Sequence, residues 1–168
     1  NNNTGFLFAL GYAATNSGTA IINLSGDINN FSGLISTGLS TVGLYTLNFV
    51  GTSPQSFNNS SGTLTNTDRQ NVNINNPAGV TFNTPVVLQG NLSFITGILK
   101  TTFINLLTLG QGSTVTGVSD SGFVHGPVKK IGNTAFTFPV GKTGFGYVPI
   151  GVSNFFNGTA TDEFIAEY

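Results

Sequence analysis

One phrase occurs twice in this chain without a gap, and it restricts the fold more than any other feature. Leu24-Ser25-Gly26-Asp27-Ile28-Asn29-Asn30-Phe31-Ser32-Gly33-Leu34-Ile35 matches Leu88-Gln89-Gly90-Asn91-Leu92-Ser93-Phe94-Ile95-Thr96-Gly97-Ile98-Leu99. Both glycines recur, as do the Asp or Asn after the first, the hydroxyl before the second and the apolar positions between them. A weaker echo sets Asn23-Leu24-Ser25-Gly26 on Asn48-Phe49-Val50-Gly51, with Asn73-Ile74-Asn75 following at the same spacing. Internal periods of roughly 20 to 50 residues mark chains built from stacked units.

The units are short strands. Ile22–Leu24, Tyr45–Phe49, Val72–Ile74, Val80–Phe82, Val86–Leu88 and Leu106–Leu109 alternate apolar with polar residues and stop at Gly, Asn or Pro, a period-two pattern with turn punctuation. No stretch shows helical spacing with caps. The expected fold is all-β: a right-handed parallel β-helix (solenoid) with a C-terminal β cap or small sandwich-like transition. Inward Leu, Ile, Val and Phe would stack on rungs ~4.8 Å apart, and glycines would take the corners where φ is positive or backbones crowd. An antiparallel sandwich shares the alternation and the frequent turns and stays the main rival. Recurrence at a fixed offset favours the solenoid.

Two parts are expected. Residues 1–122 carry the rungs. Residues 123–168, with aromatic-rich strands and Pro127, Pro139 and Pro149, break the rung pattern and are expected to cover the open apolar end of the stack, which would otherwise be a sticky edge. Phe6 to Ala14 is interrupted by Gly11 and preceded by Asn1, Asn2 and Asn3 rather than by Lys or Arg, so it is expected as strand rather than signal peptide. No run approaches the ~18 to 20 apolar residues of a membrane helix, and membrane insertion is not expected. Ala160 to Tyr168 looks like a strand in mid-flow, so the chain is expected to continue into a larger protein.

Composition narrows the function classes. With 39% hydrophobic residues the chain can build a core, yet only 7% are charged, against roughly 25% in ordinary soluble domains. Asn, Thr, Ser and Gly must cover the surface instead, an extracellular style of surface in which Thr also suits strands. Five basic and six acidic residues give a net charge of −1, with no footprint for nucleic acid or anionic lipid. Cysteine is absent, which removes disulfides, thiolate catalysis and Cys-ligated metal.

Several phrases carry a family likeness: Asn48-Phe49-Val50-Gly51-Thr52-Ser53-Pro54-Gln55-Ser56-Phe57, then Asn73 to Phe82, Gly90 to Phe94, and Leu106-Leu107-Thr108-Leu109-Gly110-Gln111-Gly112-Ser113-Thr114-Val115-Thr116-Gly117. After them come Phe123-Val124-His125-Gly126-Pro127-Val128-Lys129-Lys130, Ala135-Phe136-Thr137-Phe138-Pro139-Val140-Gly141-Lys142 and Tyr147-Val148-Pro149-Ile150. From about Asn48 onward the chain resembles the β-helical regions of large Bacteroidetes cell-surface, adhesin-type proteins exported by the type IX secretion system. His125 and Val148 depart from that pattern, where Asn and Arg are common. The resemblance implies a secreted protein at the surface of a Gram-negative bacterium, whose partners are other domains of the same chain and the type IX secretion machinery. A C-terminal sorting domain is not among these residues.

The residues offer little for catalysis. β-Helical enzymes cluster carboxylates with Lys or Arg on one face, whereas Asp27, Asp68, Asp120, Asp162, Glu163 and Glu167 are scattered. Asp27 and Asp120 sit in turn contexts and are expected as turn caps. The lone His125 has no second His, and no Gly-x-Ser-x-Gly elbow occurs. Gly141-Lys142-Thr143 lacks the earlier glycine of a phosphate loop and is expected as a hairpin turn. Lys129 and Lys130 are expected as a solvated strand edge. Asn-x-Ser/Thr triplets at Asn23, Asn30, Asn58, Asn59, Asn91 and Asn157 follow from asparagine-rich sequence. Thr63 with Thr65 and Thr114 with Thr116 are too few for an ice-binding array. No catalytic, cofactor-binding or metal site is assigned and no cofactor is expected. The expected function is a non-enzymatic stalk or spacer; the alternatives are a polysaccharide-binding module, with Tyr147 or Phe155-Phe156 as contacts, or a self-associating filament subunit that adds strands.

Overall fold

Alternating side chains between tight corners give each element the same form, a short strand with one face in and one face out. The computed structural model describes residues 8–9, 19–29, 34–36, 44–59, 63–65, 70–153 and 155–168. β1 (Phe8–Ala9) stacks one rung before β4, and the turn that follows it holds β2 (Thr19–Leu24), β3 (Ile28–Asn29) and β4 (Leu34–Ser36). The next holds β5 (Leu44–Phe49), β6 (Gln55–Asn58) and β7 (Thr63–Thr65), followed by β8 (Gln70–Asn75), β9 (Val80–Phe82) and β10 (Val86–Leu88). Then come β11 (Asn91–Thr96), β12 (Leu99–Lys100) and β13 (Leu107–Leu109), and β14 (Thr114–Thr116), β15 (Val124–His125) and β16 (Val128–Ile131). The chain finishes with β17 (Phe136–Phe138), β18 (Val140–Lys142), β19 (Gly146–Tyr147), β20 (Ile150–Val152) and β21 (Glu163–Ala166). Among the described residues all regular structure is strand. Most of Phe6–Ala14 lies outside them, as do Asn30 to Gly33 of the repeated phrase and Asp68.

The strands stack in parallel as a β-solenoid of about four turns. A first face is ordered β2-β5-β8-β11-β14, and a second β3-β6-β9-β12-β15-β18. The third face is β10-β13-β16; in the earlier turns its place in chain order is taken by a separate sheet, β1-β4-β7. Parallel pairing runs on past Gly122, through β13–β16 and as far as Val124↔Val140 and His125↔Gly141. Antiparallel strands then close the end: β19 pairs β18 on the second face, β21 pairs β16 on the third, and β17 pairs β20.

The register explains the repeat and corrects one detail of it. Leu24 stacks on Phe49, Ile74 and Phe94 in the first face, whereas Leu88 pairs with Leu109 in the third. The gap-free match therefore superposes a first-to-second corner on a third-to-first corner. An apolar residue, a spacer, Gly, Asp or Asn and another apolar residue spell strand, corner, strand wherever they occur. The weaker echo is the true rung register: Asn23, Asn48 and Asn73 lie 25 residues apart and adjoin on neighbouring strands.

Inward columns build the core. Leu47, Val72 and Leu92 form one, Val80, Leu99, Val124 and Val140 another, and Val86, Leu107 and Val128 a third, all buried. Burying each such side chain contributes about 1.5–3 kcal/mol. Phe82 packs against Phe49 and Phe57 with ring centroids 6.3 and 5.7 Å apart, joining the first face to the second. Outward, amides form ladders: Asn48 Nδ2 donates to Asn23 Oδ1 (2.9 Å) and Asn73 Nδ2 to Asn48 Oδ1 (2.7 Å). Asn58 donates to Asn29 (2.6 Å) and Asn83 to Asn58 (2.9 Å) in the same way.

Candidate functional site

Four of the described acidic residues each have a local duty. Asp27 Oδ1 accepts from Ser56 N (2.7 Å), tying a corner to the next rung. Asp120 Oδ1 accepts from Tyr147 N (3.0 Å), holding the closing hairpin. Asp162 caps its own turn: Thr159 Oγ1 donates to Oδ1 (2.6 Å) and Thr159 N to Oδ2 (3.0 Å), and these bonds hold its carboxyl below the usual range. Glu163 pairs with Lys129 at 2.8 Å on the surface. Among the described residues no three His, Asp or Glu side chains stand close enough to hold a metal ion.

His125 lies half-buried, its Nδ1 2.7 Å from Thr143 Oγ1, a contact between the second face and the hairpin. Gly141-Lys142-Thr143 leads into the β18–β19 turn, where Gly144 and Gly146 have φ of 91° and 95°. Thr114 donates to Asn91 (2.9 Å) and Thr116 accepts from it (3.2 Å), continuing the outward polar seam. Tyr147 is half-buried, and burial pushes its hydroxyl pKa up. Phe155 packs on Phe164, while Phe156 projects into solvent.

The two adjacent lysines part company. Neither lysine lies on an edge, because β13 and β21 flank β16 on both sides: Lys129 faces outward, half-buried, and Lys130 points inward at 2% exposure, in the column where Leu88 and Leu109 precede it and Phe164 follows. The expectation of a solvated edge fails here because β16 alternates: Val128 must face in, so Lys130 does too. Its ammonium donates to the carbonyls of Gly110 and Gln111 (2.9 Å to the latter) and lies 5.3 Å from the centre of the Phe136 ring. No carboxylate is among these partners, and burial pushes its pKa below 10.5.

Beside this lysine the first face opens. β17 follows β16 where the next first-face strand is due, yet it pairs with β20 and not with β14. The resulting cleft is lined by Gln111 to Val115, Lys130 and Thr134 to Thr137. It offers one aromatic ring, hydroxyls, an amide and a buried cation. These groups can hydrogen-bond a polar molecule.

Sequence patterning missed a second polar cluster at the first-to-second corner. Gln55, 3% exposed, donates through Nε2 to Leu24 O (2.9 Å) and Gly26 O (2.7 Å). Its Oε1 accepts from Gly51 N and Asn76 Nδ2, both at 2.9 Å. Asn76, fully buried, donates as well to Ser53 O (2.8 Å) and accepts from Ala78 N (2.9 Å). Three successive corners are thus riveted by two amides. The fold and its polar seams define a class, the parallel β-solenoid with a closed C-terminal end. No protein-family model, curated protein or solved structure matches this chain.

Proposed function

We propose that this chain is a non-enzymatic structural spacer, a stalk module of a secreted adhesin-type protein at a bacterial cell surface. The observation that carries the reading is the continuity of the inward columns and amide ladders through successive turns. Among the described residues each rung is hydrogen-bonded to the next along its strands, which stiffens the stack against bending. The uncharged polar surface and the family-like phrases support the extracellular setting.

A spacer must tolerate changes of length. Residues 45–69 form one turn between Leu44 and Gln70, and Tyr45 and Gln70 already adjoin in register. Duplicating that segment twice should leave a cooperative β spectrum and lengthen the particle by about 10 Å in solution scattering, at ~4.8 Å per rung. Collapse of the fold on a single duplication would sink the spacer reading. So would a glycan array showing specific binding that Phe136→Ala abolishes, which would favour a binding module centred on the cleft.

A further inference from the structure

At the closing end the first face stops one strand early. β14 is its outermost strand there, and β17, due to stack on it next, pairs with β20 instead. No described strand pairs with the outer edge of β14 or with the edge of β17 away from β20. The cleft runs between these two open edges, lined on one side by Ser113 to Val115 and on the other by Thr134 to Thr137. Its volume is about 380 Å³. A strand residue takes up ~160 Å³, from a rise of about 3.3 Å, a strand spacing of about 4.8 Å and a sheet depth of about 10 Å. The cleft therefore has room for two to three strand residues, close to the three of β14 and the three of β17.

The side chains at this gap are unfinished as well. Val115 ends the inward column of Leu47, Val72 and Leu92, and it is half-buried where they are buried. Phe136 on β17 is half-buried too. Lys130 lines the cleft at 2% exposure. An ammonium carries three N–H donors; Gly110 O and Gln111 O take two, and the third has no acceptor among the described residues. No acidic residue lines the cleft. A cation removed from water without an opposite charge is costly, and a carboxylate brought to it offsets that cost.

We propose that the cleft binds an extended acidic peptide segment, added as a strand between β14 and β17, with a carboxylate of the peptide on the Lys130 ammonium. Period two fixes the rest of its side chains. Ser113 and Val115 share the inward side of the β14 segment, while Thr114 between them is exposed. Ser113 Oγ and the Lys130 ammonium both donate to Gly110 O, so the cation lies at the Ser113 end of the cleft. The inserted residue beside Ser113 therefore carries the carboxylate, and the residue two positions away, beside Val115, is apolar. Backbone bonds to the two edges supply affinity, and the two inward side chains supply selection. A sugar acid could meet the ammonium and the Phe136 ring, but it would leave both strand edges without a ladder, so the peptide is favoured over a polysaccharide. The inference stands independently of the spacer reading, since it uses only the closing turn.

The probe is the blocked pentapeptide acetyl-Thr-Glu-Thr-Val-Thr-amide, together with acetyl-Thr-Val-Thr-Glu-Thr-amide for the opposite chain sense. Titrated into the isotope-labelled whole chain, one of them should shift the amide resonances of β14 and β17 and slow exchange along their open edges. Replacing Glu by Gln in that peptide should weaken binding on the order of tenfold or more, and Lys130→Met should weaken the Glu peptide to the same degree. The Gln peptide leaves the protein unchanged, so a looser β17 in Lys130→Met cannot account for both losses. Equal binding of the Glu and Gln peptides overturns the proposal. So does the absence of shifts with either chain sense up to millimolar concentration. Oligogalacturonate moving the β14 and β17 amides while neither peptide does would also overturn it, making the cleft a site for acidic polysaccharide.

Discussion

Replacing Gln55 by Met keeps the length of the side chain and removes all four of its hydrogen bonds. The cost can be assigned partner by partner. Leu24 O keeps a second donor, Val50 N at 2.8 Å, and Gly26 is an exposed corner residue whose carbonyl can turn to water. The remaining two partners are enclosed. Gly51 is buried, and its N–H has only Gln55 Oε1 as acceptor; Asn76 is fully buried and keeps Ser53 O for just one of its two amide hydrogens. Two orphaned buried donors at about 1–3 kcal/mol each amount to roughly 4 kcal/mol. The apolar thioether gives back about 1 kcal/mol by its burial. The expected net loss is about 3 kcal/mol, a fall of about 6–12 °C in the thermal midpoint of a chain this long.

Urea unfolding and amide exchange read that loss. Protection at the Gly51 amide should collapse first, because its acceptor is gone while the surrounding ladder remains. Gln55→Glu separates donors from acceptors. Its carboxylate still accepts from Gly51 and Asn76 but sets its other oxygen against the Leu24 and Gly26 carbonyls. That contact favours the protonated acid, so its folded pKa rises above the unfolded value of about 4.3. The folded form then binds more protons, and the stability of the variant falls as pH rises from about 4.3 through the folded pKa. A loss below about 1 kcal/mol for Gln55→Met, or unchanged exchange at Gly51, would refute the view that these amides rivet the corners.

The other predictions concern the closing end and one corner. Lys130→Met should stabilise the fold by about 1 kcal/mol at neutral pH, since an apolar chain of similar volume avoids burying an ammonium. Gly110 O keeps Ser113 N and Oγ as donors, and Gln111 is exposed to water. In the wild type, burial pushes the Lys130 pKa below 10.5, so between that folded pKa and 10.5 the unfolded chain holds the extra proton. Stability should therefore rise with pH across that window and stay flat there in Lys130→Met; pH-dependent urea midpoints decide, and a net loss above about 2 kcal/mol would count against the argument. Gly97 has a φ of 109°, and a Cβ there would overlap the Asn76 carbonyl. Gly97→Ala should cost about 3 kcal/mol or more in thermal unfolding, whereas Gly112→Ala, with nothing near its Cβ, should stay within about 0.5 kcal/mol.

How far the fold could be read from the chain depended on the range of the interactions. Tyr45–Phe49 and Val72–Ile74 declared themselves as strands because alternation is local, and burial follows it over Leu47 to Phe49 and Val72 to Ile74, although Thr46, at an outward position of the pattern, is buried as well. Asn23, Asn48 and Asn73 announced the rung register because an outward amide ladder repeats one residue type at one spacing. The longer match of Leu24–Ile35 on Leu88–Leu99 pointed to the right architecture through the wrong superposition, since a corner phrase serves any corner. Gln55 and Asn76 carried no such mark. Apart from Gly51 and Ala78, their partners stand 21 to 31 residues away, and whether a buried amide is satisfied depends on where those groups arrive.

Lys130 shows the opposite failure, a local signal overruled by chemical habit. Period two from Val128 puts Lys130 inside, and the β13 residues it continues, Leu107 and Leu109, are both core. A lysine is expected outside because desolvating an ammonium is costly, but at the last inward position of β16 two carbonyls and the Phe136 ring take the place of water. The same side chain stands where β17 leaves β14 and pairs with β20. A leucine there would continue the column with nothing to bond the Gln111 carbonyl. The lysine spans from the third face to the loop before β14, joining the last parallel rung to the antiparallel closure. On this argument the cation acts as a clasp at the end of the stack, stability and closure pull in opposite directions at one residue, and Lys130→Met should gain stability while loosening β17 and β20 in amide exchange.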